Sequence, residues 1–124
     1  MNIYVAHSKD FDFKKELYEP IRKSSLNSKH AFILPHEKSG KPFNSKDFLK
    51  DGCGLIIAEV SYPSTGLGIE LGWADSYNVP IICIYKKGSK ISGSLKVVSK
   101  SFVEYANSNE LISGIEKAIG RLEL

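Results

Sequence analysis

Glu70 lies in the run Leu55–Ala74, LIIAEVSYPSTGLGIELGWA, and its surroundings there make it the first candidate for chemistry. The run opens as a continuous apolar strand (Leu55, Ile56, Ile57, Ala58), turns, and enters a helical segment that begins at Gly66 and Gly68. This spacing predicts that Glu70 falls in the helix's first turn. The N–H groups of a first turn lack intrahelical partners and attract anions, so a carboxylate there tends to stay ionised. An ionised carboxylate beside a small-residue, phosphate-sized turn suits a nucleotide attacked or stabilised at a cationic carbon. A capping box would be a purely local explanation of Glu70. It needs Ser or Thr three residues earlier, where Leu67 stands. Ser64, Gly66 and Gly68 are candidates to cradle phosphate or sugar oxygens with backbone N–H groups. A turn that merely needs small residues is the competing explanation.

The elements around this run must position it. Asn2–Ala6 reads as a strand, and Phe11–Leu26 as a helix with apolar Phe13, Leu17 and Ile21 on one face. Pro20 falls inside that helix and should kink or split it. His30–Leu34, Gly54–Val60, Pro80–Tyr85 and Ser101–Glu104 read as further strands. Lys46–Lys50, Gly66–Asn78 and Asn109–Leu122 read as helices, the last capped by Asn107 with Leu111, Ile115, Ala118, Ile119 and Leu122 on one face. Pro35–Ser45 and Lys86–Ser94 read as loops. Strands alternating with helices predict an α/β fold: a single-domain, doubly wound, five-stranded parallel sheet, Rossmann-like or flavodoxin-like, with order 2-1-3-4-5 and helices on both faces. In such a sheet a ligand sits beyond the strand carboxyl ends at the topological switch point. His7, Ser8 and Lys9, just past strand one, and Ser61–Gly68, just past strand three, should then share one crevice. His7 is a candidate contact to a base.

The 124 residues suffice for one domain spanning 1–124. No apolar run approaches the roughly 20 residues of a membrane span. MNIYVAHS has no basic leader or signal-type core and reads as the first strand. Cys53 and Cys83 lack metal or redox spacing and lie in or beside apolar strands, which reads as buried reduced thiols of a cytoplasmic protein. No pair among His7, His30 and His36 has metal-ligand spacing, so neither metal nor cofactor is expected. Net charge is +3. The Lys14-Lys15, Lys86-Lys87 and Lys96/Lys100 clusters carry no interleaved aromatic pattern, which argues for a solvated face over a nucleic-acid footprint.

The segment AEVSYPSTGLGIELGWA, preceded by an apolar strand and followed by VPIICIY, resembles the nucleoside 2-deoxyribosyltransferase superfamily. Within it the nearer branch is the 2′-deoxynucleoside 5′-phosphate N-hydrolases. The likeness also takes in the opening IYVAHS and the closing strand and helix. The resemblance implies cleavage, by hydrolysis or base transfer, of the N-glycosidic bond of 2′-deoxynucleoside 5′-monophosphates or 2′-deoxynucleosides. It implies Glu70 as the nucleophile in G-x-G-x-E-L-G, Ser64 and Ser8 as substrate contacts, and Tyr4 as the strand-one tyrosine that orients Glu70. Asp47 matches the catalytic Asp on the helix before strand three, although Asn44 and Asp47 also read as an ordinary helix cap. The chain departs from the branch at Asp10, where an Arg usually helps hold phosphate, and at Gly54, where an Asp is usual. Ser92, Ser94 and Ser101 are candidates for a late Ser that a neighbouring subunit supplies. The resemblance further implies a homodimer or larger even-numbered homo-oligomer, with Trp73 and Tyr77 on the contacting helix. The strand–His–Ser opening is shared with TIR-type domains, so the alternative is a non-catalytic TIR-like nucleotide-binding or signalling module.

Overall fold

The computed structural model describes residues 1–38 and 43–123. Five parallel strands form one sheet in the order β2-β1-β3-β4-β5: β1 Asn2–His7, β2 Ala31–Ile33, β3 Leu55–Glu59, β4 Ile81–Lys86 and β5 Ser101–Tyr105. The predicted strand order is the observed one. β1 pairs with β2 on one side and β3 on the other, so the switch point lies at the carboxyl ends of β1 and β3, where His7 is in register with Glu59.

The helices are α1 Glu19–Lys23, α2 Leu26–Lys29, α3 Ser45–Asp51, α4 Thr65–Ser76, α5 Leu95–Val98 and α6 Ser108–Leu122. Alternation along the strands divides the core. Ile3, Val5, Leu55 and Ile57 face Leu17, Ile21, Leu111 and Ile115 on one side. Tyr4, Ala6, Ile56 and Ala58 face Leu49, Leu67, Leu71 and Ala74 on the other. Burial on both faces is what makes these strands read as continuous apolar runs.

The helix expected over Phe11–Leu26 is interrupted. Lys14–Tyr18 is π-helical and hands over to α1 at Glu19, whose N–H reaches the Lys14 carbonyl. Pro20 has no N–H and would press on the carbonyl four residues back, and the wider π turn before it relieves both problems. α1 then ends at Lys23, and α2 is a separate turn. α5, absent from the sequence expectation, is a single turn whose Leu95 and Val98 pack against the second core cluster. Asn44 and Asn107 cap α3 and α6 as their side chains suggest, accepting from the N–H groups of Asp47 and Glu110. α4 ends in a Schellman motif. Asn78 takes a left-handed φ of 59°, Val79 N–H bonds the Ala74 carbonyl, and Asn78 N–H bonds that of Asp75. Within the expected Pro35–Ser45 loop, residues 39–42 lie outside the described residues. Among the described residues no helix is long and apolar enough to cross a membrane.

Candidate active site

Tyr4 leaves the middle of β1 with its side chain on the α4 face of the sheet. It is 2 % exposed, and its hydroxyl donates to Glu70 Oε2 at 2.6 Å. Burial, reinforced by the Glu70 charge, pushes the phenol well above its ordinary value, so it keeps the proton it donates. Glu70 Oε1 has no hydrogen bond among the described residues. One oxygen of the carboxylate is therefore fixed and the other is left for a ligand. The Tyr4 ring is held in turn by Phe43, stacked at 5.8 Å, and by Phe48 at 6.2 Å.

The first-turn expectation for Glu70 is corrected by the helix start. Ser64 is the N-cap in extended conformation and α4 begins at Thr65, which places Glu70 in the second turn. The helix dipole acts mainly within the first turn, so the dipole explains little of Glu70, and Tyr4 explains its orientation. Ser64 makes no side-chain cap bond to α4, which leaves its hydroxyl for other partners. Gly68 is also corrected. Its N–H bonds the Ser64 carbonyl at 3.1 Å, so it has nothing to offer an anion. The amides without a helical partner belong to Thr65, Gly66 and Leu67. A Cβ added at Gly66 would stand in open space, so packing within the chain does not demand glycine there.

These groups line a cleft of about 440 Å³ at the switch point. That volume lies within the usual range of small-molecule sites. Tyr4, His7, Ser8, Lys9 and Asp10 line it from the β1 side, Ser64, Gly66, Glu70 and Trp73 from the α4 side, and His36 and Phe43 from the loop before α3. The structure thus brings together Glu70, Tyr4, His7, Ser8, Ser64 and Gly66. It does not bring Asp47 to them. Asp47 is exposed on α3, where its Oδ2 accepts from Asn44 Nδ2 at 2.9 Å, the capping arrangement that its spacing also suggested.

Ser8 is buried, and its Oγ accepts from Asp10 N–H at 3.1 Å, leaving its own proton to donate. His7 is committed to the fold. Its Nδ1 faces the Ser8 carbonyl at 2.7 Å and its Nε2 faces the Tyr18 hydroxyl at 2.6 Å. A carbonyl only accepts, so Nδ1 carries the proton and Nε2 accepts from Tyr18. Burial, helped by His36 and Lys9 and opposed by the Ser8 bond, lowers His7 to about 4. Neutral and doubly bonded, His7 has no ring nitrogen left for a base.

Sequence reasoning missed what holds His36 in place. Tyr18 Oη accepts from His36 N–H at 3.1 Å. Arg22 also grips neighbouring Glu37 bidentately, through Nε and Nη2 at 2.9 Å each. The His36 Nδ1 atom is buried with no partner among the described residues, and burial followed by Lys9 and Lys14 lowers its pKa. A second omission is Glu59, a fully buried carboxylate at the end of β3. A charge closing the apolar run LIIAE was the available signal. Trp73 lines the cleft with Lys46 Nζ 5.6 Å above its ring. Among the described residues no cluster of His, Cys, Asp and Glu has the makings of a metal site.

No protein-family model matches the chain. It is 35 % identical over 63 residues to a protein of Syntrophotalea carbinolica provisionally named 2′-deoxynucleoside 5′-phosphate N-hydrolase 1, a match covering 46 % of this chain and 42 % of that one. It is 34 % identical over 68 residues to a protein of the same provisional name from Trichoplax adhaerens, covering 51 % and 47 %. The chain thus spans less than half the length of the curated relatives it matches. Among solved structures, Clostridium botulinum CMP N-glycosidase BcmB superposes with a TM-score of 0.68 at 20 % identity, over 94 % of this chain and 99 % of that one. A conserved protein from Enterococcus faecalis V583 gives 0.63 at 14 %, over 94 % and 98 %. The chain therefore shares its fold with an N-glycosidase, and in sequence it resembles the 2′-deoxynucleoside 5′-phosphate N-hydrolase branch of the nucleoside 2-deoxyribosyltransferase superfamily.

Proposed function

We propose that this chain is an N-glycosidase that cleaves the bond between base and sugar in 2′-deoxynucleoside 5′-monophosphates or 2′-deoxynucleosides, with Glu70 as nucleophile. The observation that carries the reading is the Tyr4–Glu70 bond on the wall of the switch-point cleft: one carboxylate oxygen oriented, the other open. The names of the curated relatives and of the Clostridium structure support the same chemistry. As the C1′–N bond lengthens, its electron pair leaves with the base and C1′ becomes cationic. Glu70 Oε1 stabilises that carbon or bonds to it, and Tyr4 holds the carboxylate at the required angle. The departing base takes its proton from water. Water then releases the sugar in hydrolysis, or an acceptor base takes it in transfer. A 2-deoxy sugar lacks an electron-withdrawing hydroxyl, which makes its cation easier to form.

For the sugar's 5′ end the cleft offers the Ser8 and Ser64 hydroxyls, the free amides at the start of α4, and Lys9. Asp10 opposes a phosphate there, and Lys is a point charge without the fork of Arg. Helix amides and hydroxyls bind phosphate without an Arg, and we place monophosphates ahead of free nucleosides. We place the protein in the cytoplasm as a homodimer or larger even-numbered assembly, with α4 at the contact.

The deciding experiment incubates purified protein with deoxynucleosides and their 5′-monophosphates and follows free base by chromatography. Base release is expected, and an added acceptor base distinguishes transfer from hydrolysis. Absence of both release and exchange with every deoxy substrate overturns the proposal. A higher kcat/KM for the unphosphorylated form would reverse the monophosphate assignment. Tyr4→Phe should lower kcat about 10- to 100-fold, the value of one hydrogen bond to a charged acceptor. It should leave KM nearly unchanged and lower Tm by only a few degrees, because the bond is lost but the buried ring remains. Wild-type turnover in Tyr4→Phe would show that Glu70 needs no orienting group.

A further inference from the structure

We infer that Glu59 is a positioning residue that sets the β3–α4 turn in its substrate-binding shape, an inference that rests on the proposed glycosidase reading. Glu59 closes β3 and is 0 % exposed. Among the described residues it has no cation within ion-pairing distance. Its carboxylate accepts instead from three donors: Ser61 N–H at 2.6 Å, Ser61 Oγ–H at 3.0 Å, and the hydroxyl of Tyr105. Tyr105 ends β5 and reaches Glu59 across the last residues of β4, where Lys86 is in register with Tyr105 and Ile84 with Glu59. Ser61 Oγ in turn accepts the N–H of Lys86, the last residue of β4, at 2.7 Å. One carboxylate thus ties the carboxyl ends of β3, β4 and β5 to Ser61 in the turn.

A buried carboxylate is a costly filler, and apolar side chains of similar volume stabilise such a place as well or better. What it supplies here is direction, because two of its three donors lie on Ser61. The rest of the turn is constrained from outside. The Tyr62 ring stacks on Phe11 at 5.1 Å and its hydroxyl meets Lys86 Nζ at 3.0 Å. Pro63 has its φ fixed by its ring. Ser64 and the free amides of α4 follow directly, and Pro63, Ser64 and Gly66 line the cleft. The body of α4 is seated separately, by Leu67, Leu71 and Ala74 on the sheet and by Tyr4 on Glu70. Loosening Ser61 should therefore disturb the groups that grip substrate more than the group that attacks it.

The test is Glu59→Gln, whose amide cannot accept from all three donors, with Tyr105→Phe as a milder variant should the first fold poorly. Steady-state kinetics on a deoxynucleoside 5′-monophosphate should show KM raised about tenfold with kcat within about threefold. Amide hydrogen exchange read by NMR should show the bonded amides around the turn exchanging about tenfold faster, namely Ser61 N–H on Glu59, Gly68 N–H on the Ser64 carbonyl and Lys86 N–H on Ser61 Oγ, with the amides of α6 unchanged. Tyr105→Phe should move both readouts in the same direction but less, because both Ser61 bonds remain. A fall in kcat with KM unchanged, or protection in the turn equal to that of wild type, overturns the inference. If wild-type protein releases no base from any deoxy substrate, the glycosidase reading fails on its own. Exchange at the Ser61, Gly68 and Lys86 amides of Glu59→Gln then still decides whether Glu59 holds the turn.

Discussion

Glu70→Gln is expected to lose base release by about 10³-fold or more while folding as wild type, since removing the carboxylate proposed to stabilise or attack C1′ forfeits at least 4 kcal/mol or so of transition-state stabilisation. The substitution keeps the side chain's shape. Its amide oxygen can still accept from Tyr4, so the 2.6 Å contact has a replacement acceptor. The amide carries no negative charge, though, and is a poor partner for a cationic C1′. Glu70 is only half-buried and forms no ion pair among the described residues, so Tm should move by no more than a few degrees. Substrate should still bind, because Ser8, Ser64, Lys9 and the amides of Thr65–Leu67 are untouched. The expected pattern is a collapse of kcat with little change in KM, read by chromatographic base release in parallel with thermal unfolding. Turnover at the wild-type rate would remove Glu70 from the chemistry.

The sheet was legible because its signals are local. β1 and β3 are buried on both faces, so each reads as an apolar run, and their alternation with helices dictates a parallel order. The Asn caps and the disturbance at Pro20 announce themselves within a turn of the chain. The cleft was legible as far as topology reaches, since the ends of β1 and β3 must converge. Long-range side-chain pairing was not legible. Nothing near Tyr18 says that it meets both His7 and the backbone of His36, and nothing near Tyr105 says that it reaches Glu59. The start of α4 was misplaced because Gly66 and Gly68 look like an opening, whereas the helix begins at Thr65. That small shift takes Gly68 out of the amide cradle, and Glu70, sixth from Thr65, lies beyond the turn where the dipole acts. The Asp47 case shows the same limit: spacing suits both an acid and a cap, and only the tertiary position separates them.

Acidification should destabilise the fold through His7, by on the order of 3 kcal/mol between pH 7 and pH 4. His7 is 7 % exposed and its pKa is lowered from 6.5 to about 4, first by burial and then by His36 and Lys9, against the opposing Ser8 bond. In the unfolded chain it takes up a proton below about pH 6.5, whereas in the folded chain it waits until about pH 4. Between those values the unfolded state binds more protons, so stability falls as pH falls and levels off once both states are protonated. The structural consequence is specific. A protonated Nε2 would point an N–H at the Tyr18 hydroxyl, which now donates to it at 2.6 Å. Tyr18 would have to turn its proton away while still accepting from His36 N–H at 3.1 Å. The link that seats His36 at the cleft would weaken before the sheet does. The measurement is the urea midpoint from pH 7 to pH 4 for wild type and His7→Gln. His30 and His36 are also lowered by burial and are present in both proteins, so the difference between the two curves isolates His7. Wild type should lose stability more steeply than His7→Gln below pH 6.5. Parallel curves would mean that the proton is taken up elsewhere and that His7 is not the acid-sensitive joint of the fold.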